Sequence, residues 1–171
     1  MNCIEQPWEG QMSTRKAKKM KILLPVDTSP YSAEAVQAVT ERPWPAGTTV
    51  RVLSAVENVG VPAMGPVMFD AAGSLELLQQ QRTREANELT ENVANTLAAS
   101  GLATETVVHD GDPRSVIVDE AEDWKADLIV VGSHGYTGIK KWLLGSVAQS
   151  VVSHAPCSVE VVRVRTAHAK Q

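Results

Sequence analysis

Short apolar runs rich in β-branched residues alternate with longer stretches of helical periodicity along most of this 171-residue chain. The runs predict five strands, and the stretches between them predict four helices. Such an alternation favours an α/β fold in which a single doubly wound, five-stranded and mainly parallel sheet carries helices on both faces. The predicted strands span residues 21–26, 49–56, 104–108, 128–131 and 158–164.

The longest predicted helix covers residues 74–100 and follows a loop over residues 57–73. At seventeen residues, rich in Gly and Pro, the loop exceeds the usual connection and is interpreted as a lid or a mobile surface excursion. Apolar residues recur along the helix at helical spacing, and this stripe is interpreted as core rather than as part of a ligand site. Its members are Leu75, Leu78, Ala86, Leu89, Val93 and Leu97.

Two other helices have recognisable start signals. Thr28 or Ser29 can cap the first helix, with Pro30 in its first turn, and Asp112 precedes Pro113 in the same arrangement. The helix after Pro113 carries three acidic residues that are interpreted as a solvated face, namely Glu120, Glu122 and Asp123.

A glycine-spaced segment follows the fourth predicted strand and leads into the last helix. Its pattern is Gly-x2-Gly-x9-Gly-Ser, formed by Gly132, Gly135, Gly145 and Ser146. Without a Cβ the main chain can approach a polyanion, and a helix N-terminus offers N–H donors and a favourable dipole. The segment therefore predicts a phosphate-binding loop, while the alternative is that the glycines only supply turns with positive φ.

Asp27 follows the first strand directly, as Gly132 follows the fourth. Ligands of doubly wound sheets bind at the carboxyl ends of the strands where the strand order reverses, so neighbouring first and fourth strands would frame one crevice. A carboxylate repels polyphosphate, and Asp27 is therefore expected at the ribose or base end or at a bound divalent ion. Its alternative role is a helix cap. His134, in the glycine-spaced loop, is a further candidate for lining the crevice.

Composition narrows the classes of partner and compartment. The net charge is −4, and five of the sixteen basic residues lie within residues 1–21, so the remaining body is acidic and should repel nucleic acid. No apolar stretch is long enough for a membrane span, and the N-terminus lacks a secretory signal, which predicts a cytoplasmic protein. Cys3 and Cys157 show neither disulfide nor zinc spacing.

Other catalytic and metal patterns fail on spacing. No Gly-x4-Gly-Lys-Ser/Thr segment is present, so a Walker-type NTPase is excluded. The sequence around Ser133 superficially matches a nucleophile elbow, but Val131 replaces its first glycine and no Asp follows it. The four histidines have no metal-ligand spacing.

Several motifs together resemble the universal stress protein family, over about residues 20–165. The matching segments are 21–27, 111–113, 127–135, 143–147 and 155–159. The resemblance implies a Rossmann-like nucleotide-binding domain over 20–165, a flexible extension at 1–19 and a C-terminal tail at 166–171. It also implies that adenosine is held by Pro25, Val26, Asp27, Ala55 and Val56, and the phosphates and ribose by Gly132, Gly135, Gly145, Ser146 and Val147.

The complete glycine pattern is similar to that of the ATP-binding branch of the family. This likeness implies ATP with Mg²⁺ as ligand, a homodimer joined through the last strand, and nucleotide-dependent regulation of an unknown protein partner in the stress response. No membrane or nucleic-acid partner is expected. The alternative is a slow ATPase, or an adenylyl or phosphoryl transferase. Glu160 departs from the aliphatic last strand typical of the family.

Overall fold

A computed structural model describes residues 19–58, 69–134 and 144–163, with side chains in the second range from residue 73 onwards. Of the helices within these ranges, none combines the length and apolarity needed to cross a bilayer. Strands and helices alternate in chain order as β1 Lys21–Pro25, α1 Pro30–Glu41, β2 Thr49–Val56, α2 Phe69–Ala99, β3 Ala103–Asp110, α3 Pro113–Trp124, β4 Leu128–Gly132, α4 Ser146–His154 and β5 Ser158–Val162.

The strands form one sheet in the order β3-β2-β1-β4-β5, and every neighbouring pair is parallel. This confirms the predicted doubly wound fold and makes the sheet parallel throughout. The strand order reverses between β1 and β4, because the chain builds outward from β1 in one direction and then returns to its other side. The switch point therefore lies between the ends of β1 and β4.

Two apolar clusters hold helices against the two faces of the sheet. On one face, α1 and α2 contribute Ala35, Val39, Ala94 and Leu97 to a buried cluster. On the other, α3 and α4 contribute a second set that consists of Ile117, Ala121, Trp124, Ala148 and Val151. Layers on both faces explain why β1 and β4 are nearly continuous apolar runs.

The predicted start of the longest helix is wrong. Helix α2 begins at Phe69, five residues before the expected residue 74, and it has 31 residues. Gly73, counted in the loop because glycine disfavours helices, lies inside the helix, where other residues outweigh its cost of about 1 kcal/mol. Most of the predicted loop, residues 59–68, is outside the described residues.

The predicted solvated face of α3 is wrong at Glu120. This side chain is only 10% exposed, and its two carboxylate oxygens lie 2.6 Å from Arg51 Nη1 and 2.8 Å from His109 Nε2. Arg51 also stacks on Trp124, with 4.4 Å from the guanidinium carbon to the ring centroid. Glu120 can be buried because Arg51 on β2 and His109 on β3 supply hydrogen-bond partners for its two carboxylate oxygens, which the helix sequence alone does not reveal.

Glu160 also has a structural explanation. It lies in β5 and forms a two-pronged ion pair with Arg42, the residue that follows α1. Glu160 therefore interrupts the aliphatic pattern of β5 at the position where Arg42, after the end of α1, can pair with it. Among the described strands β5 pairs with β4 alone, so within this part of the chain its other edge is open.

Candidate functional site

A cleft of about 1220 Å³ opens at the carboxyl edge of the sheet, around the switch point. It is lined by loops and strand ends from β1, β2 and β4 and by the start of α4. Every predicted site residue within the described ranges lines it: Pro25, Val26, Asp27, Ala55, Val56, Gly132, His134, Gly145, Ser146 and Val147. Gly135 lies outside the described residues.

Strand β2 leaves backbone groups open beside the end of β1. The β1–β2 pairing ends at Pro25 and Leu53, while β2 continues to Val56. The Val56 carbonyl accepts from Gly111 N on the β3 side at 2.9 Å. Since backbone groups alternate sides along a strand, Ala55 directs its N–H and C=O towards the β1 side, beyond the last paired residue. These groups can hydrogen-bond a flat polar ligand lying over β2.

Asp27 is exposed at the end of β1, and one of its oxygens is already engaged. Its Oδ1 accepts from Ser29 N at 3.0 Å and from Ser29 Oγ at 2.5 Å. Ser29 is itself the N-cap of α1 and accepts from Ser32 N at 3.2 Å. Asp27 is therefore not the helix cap. It orients the cap residue and keeps Oδ2 for a partner in the cleft.

The start of α4 presents unpaired N–H donors to the same cleft. Its N-cap residue is Gly145, which has no side chain to accept a hydrogen bond from the first turn. The first amide that bonds back along the helix is Gln149 N, which donates to Gly145 O at 2.9 Å. The amides of Ser146, Val147 and Ala148 consequently have no intrahelical acceptor. Open amides and the positive end of the helix dipole together form an anion-binding arrangement.

Glycine at position 132 is explained by packing. A Cβ built there would lie 2.6 Å from the Tyr31 carbonyl oxygen and 2.7 Å from its carbon. The first turn of α1 thus rests directly on the end of β4. Gly132 has no positive φ, and Gly145 has a φ of −62°, so the interpretation as turns with positive φ is wrong for both.

His134 lies at the edge of the cleft beside α1. Its ring centroid is 4.9 Å from that of Tyr31, and Nδ1 is 3.2 Å from Ser133 Oγ. Nε2 is enclosed and has no hydrogen-bond partner among the described residues. A polar group of a bound ligand could form the hydrogen bond that His134 Nε2 lacks.

The sequence interpretation missed the two helical walls of the cleft. Helix α2 contributes four residues at helical spacing, and α3 contributes Pro113 and Ile117. The interpretation of the α2 stripe as core alone is therefore wrong, because Ala86 and Leu89 also line the cleft. The sequence held a signal for this wall, because the charged residues Arg82 and Glu85 lie on the same helix face as Ala86 and Leu89. The four residues are Arg82, Glu85, Ala86 and Leu89.

Charged groups are sparse in the described part of the cleft. Its acids are Asp27, Glu57 and Glu85, and its one permanently charged base is Arg82. Nowhere in the described ranges do three or more His, Cys, Asp or Glu side chains gather as a metal would require. The described lining thus offers backbone donors and apolar surface rather than a catalytic or metal-binding cluster.

The parallel sheet, the switch-point cleft and the open helix N-terminus define a doubly wound α/β protein with a cleft at the carboxyl edge of its sheet. The chain belongs to the universal stress protein family, whose model matches residues 19–163. Universal stress protein MJ0531 of Methanocaldococcus jannaschii is 35% identical over 146 residues, which is 84% of this chain and 81% of the relative.

Solved structures share the architecture. That of the M. jannaschii protein MJ0577 matches with a TM-score of 0.73 and 29% identity, over 85% of this chain and 96% of the other. A universal stress protein family member from Arabidopsis thaliana with AMP bound matches with a TM-score of 0.60, over 89% and 96% of the two chains. At 20% identity the latter shows the fold alone.

Proposed function

We propose that the cleft binds an adenine nucleotide, with ATP as the physiological ligand. The observation that carries the proposal is the order of the elements along the carboxyl edge, which is β2, β1, β4. Open backbone groups over β2, a free carboxylate oxygen at β1 and the amides of α4 after β4 match base, ribose and phosphates in that order. The AMP bound to the Arabidopsis protein belongs to the same ligand class.

Each part of the nucleotide has a chemical partner in this arrangement. Ala55 offers a backbone donor and acceptor to the edge of adenine. Asp27 Oδ2 accepts from a ribose hydroxyl, one strand spacing away. Gly145 and Ser146 bring the phosphates to the α4 N-terminus, where the dipole contributes about 0.3–1 kcal/mol. Gly135 remains a proposed phosphate contact from the glycine pattern alone.

Mg²⁺ is proposed to accompany the phosphates rather than to occupy a protein cage. The described residues gather no group of three metal-ligating side chains. Magnesium bound with nucleotides takes most of its ligands from phosphate oxygens and water, with one or two carboxylates. Asp27 is the carboxylate at the centre of the cleft that could serve in this way.

We further propose that nucleotide occupancy regulates an unknown protein partner in the stress response, and that the chain acts by binding rather than by turnover. The glycine-spaced segment from Gly132 to Ser146 contains no arginine, the residue that many phosphoryl-transfer sites use to stabilise the charge of the transition state. The alternative, a slow ATPase or a transferase, predicts steady release of ADP or AMP. Incubation with ATP and Mg²⁺ and product chromatography separates the two, since a binding protein releases only traces.

Thermal unfolding with and without ligand tests the binding itself. ATP at about one hundred times its dissociation constant should stabilise the fold by roughly 2.7 kcal/mol through mass action. Adenosine at the same concentration should stabilise it less, because it lacks the phosphates that reach α4. A melting temperature that ATP does not change would refute the proposal.

The proposed homodimer uses the open edge of β5. Exposed edges of apolar strands are usually covered or paired. The Val162 carbonyl accepts from Ser133 N, so by alternation Val161 directs its N–H outward. Val161→Pro removes that outward donor and should give a monomer in light scattering. Glu160→Pro is the control. The N–H of Glu160 faces β4, so its loss should lower the stability of the protomer itself. A dimer that survives Val161→Pro would exclude this edge.

A further inference from the structure

Helix α2 is much longer than the sheet that it covers. Its 31 residues extend about 46 Å, whereas the eight residues of β2 extend about 26 Å. Its buried side chains, from Ala86 to Leu97, lie in the second half, and residues 73–85 contain none. Gln79 Nε2 donates to Asp110 Oδ1 at the end of β3 at 2.9 Å, so the part of α2 before Gln79 extends past the carboxyl edge of the sheet.

Apolar side chains from both helical layers line the cleft. Ala86 and Leu89 come from α2 on one face, and Pro113 and Ile117 come from α3 on the other. Together with Val56 they form an apolar slot between two helices. Such a slot is suited to a flat aromatic ring that rests one face on the apolar side chains while its edge meets the open backbone of β2. The other face of the ring is then left for a further contact.

Arg82 lies at the outer mouth of this slot. It precedes Ala86 by one helical turn on the same face of α2 and lines the cleft. Among the described residues it has no hydrogen-bond or ion-pair partner, unlike Arg42, Arg51 and Arg114, which pair with carboxylates. Its guanidinium is thus uncommitted at the rim of an apolar slot.

We propose that Arg82 stacks its guanidinium on the base of the bound nucleotide. The inference rests on the proposed nucleotide function and adds the contact that closes the slot from outside. A guanidinium is planar and weakly hydrated, and it stacks well on aromatic faces and nucleobases. Neighbouring Glu85 is less suited, because its Oε1 already accepts from Gln81 Nε2 at 2.8 Å and a carboxylate faces a π-system unfavourably.

The strand order separates this contact from the phosphates. Helix α2 packs on β2 and β3, whereas the phosphate end lies after β4, two strand spacings from β2 or about 10 Å. A base contact and a phosphate contact therefore make different predictions. A base contact contributes equally to adenosine, AMP and ATP, while a phosphate contact contributes more as phosphates are added.

Calorimetric titration of Arg82→Ala with adenosine, AMP and ATP tests the inference. We expect all three dissociation constants to rise by a common factor of about 2 to 30, the range of a cation–π contact. That factor should change little between 50 and 300 mM salt. Arg82→Lys should recover part of the loss, because it keeps the charge without the planar group. Arg84→Ala is the matched control, since Arg84 lines a separate shallow groove with Gln79 and Asp110.

Three outcomes would overturn the inference. Unchanged affinities in Arg82→Ala would show that the guanidinium does not touch the ligand. A loss that grows from adenosine to ATP and shrinks with salt would make Arg82 a phosphate contact. An equal loss in Arg84→Ala would indicate a general effect of charge on α2. Failure of the parent protein to bind any of the ligands would instead refute the nucleotide function itself.

Discussion

The N-terminus of α4 differs from those of α1 and α3, although all three helices follow strands at the same edge of the sheet. Helices α1 and α3 are closed by side chains, because Ser29 accepts from Ser32 N and Asp112 accepts from Arg114 N. Helix α4 has Gly145 as its N-cap and no side-chain hydrogen bond. Side chains cap the starts of α1 and α3, whereas the start of α4 has no side-chain cap.

The difference separates folding from binding within one architecture. A side-chain cap contributes about 1 kcal/mol to stability, so its omission at α4 costs stability in the free protein. That cost is modest because glycine is only a few tenths of a kcal/mol worse than a polar cap. The proposed nucleotide would supply hydrogen-bond acceptors to the amides of α4, so its binding would be linked to stability.

The largest expected effect comes from closing α4. Gly145→Asp places a capping carboxylate where the phosphates would bind. We expect a free protein that is as stable as the parent or slightly more so, and complete loss of the roughly 2.7 kcal/mol that ATP adds at one hundred times its dissociation constant. Gly145→Asn is the matched control, since it caps without charge and should retain part of the ATP effect. Thermal unfolding that shows an undiminished ATP response in Gly145→Asp would contradict the open-end assignment.

The next effect tests whether Gly132, at the end of β4, is needed for packing against α1 or only for ligand binding. Gly132→Ala forces a Cβ against the Tyr31 carbonyl, and backbone must move on one side or the other. We expect a loss of about 1–3 kcal/mol in the free energy of unfolding without any nucleotide, as is usual for overpacking. Urea unfolding measures it. A variant as stable as the parent would show that Gly132 serves the ligand alone.

Most of the architecture could be predicted from local pattern. The limits of β2 were predicted to the residue, and the start signals at Ser29–Pro30 and Asp112–Pro113 mark true helix starts. These features depend on period, capping and proline, which act within a few residues. The predicted site residues also converge, because parallel strands bring their carboxyl ends to one edge.

What could not be predicted depends on partners distant in sequence. Glu120 is buried by Arg51, 69 residues away, and Gly132 is required by the backbone of Tyr31. Long-range neighbours override local preference at each of these positions.

A smaller effect tests the closed start of α1. Ser29→Ala removes the side chain that accepts from Ser32 N and donates to Asp27. We expect about 1 kcal/mol lower stability and an ATP increment close to that of the parent. Ser146→Ala is the counterpart at α4, where a side chain that makes no cap should change stability little but reduce the ATP increment. Thermal unfolding of both variants with and without ATP measures the two effects. The opposite pattern, with a smaller ATP increment in Ser29→Ala and lower stability of the free protein in Ser146→Ala, would contradict the assignment.

The smallest effect concerns the pH dependence of the closed start of α3. The hydrogen bonds from the Arg114 side chain and backbone lower the pKa of Asp112 to about 2, from 3.8. A carboxyl with a lowered pKa stabilises the fold above its unfolded value and loses that contribution as pH falls towards about 2. Asp112→Asn caps without titrating, so the stability difference between it and the parent should be constant above about pH 5 and should shrink as the pH falls from there towards about 2. The difference should be small and weakened by salt, because the pair is exposed. A carboxyl resonance of Asp112 that titrates near 3.8 by NMR would contradict this account of the cap.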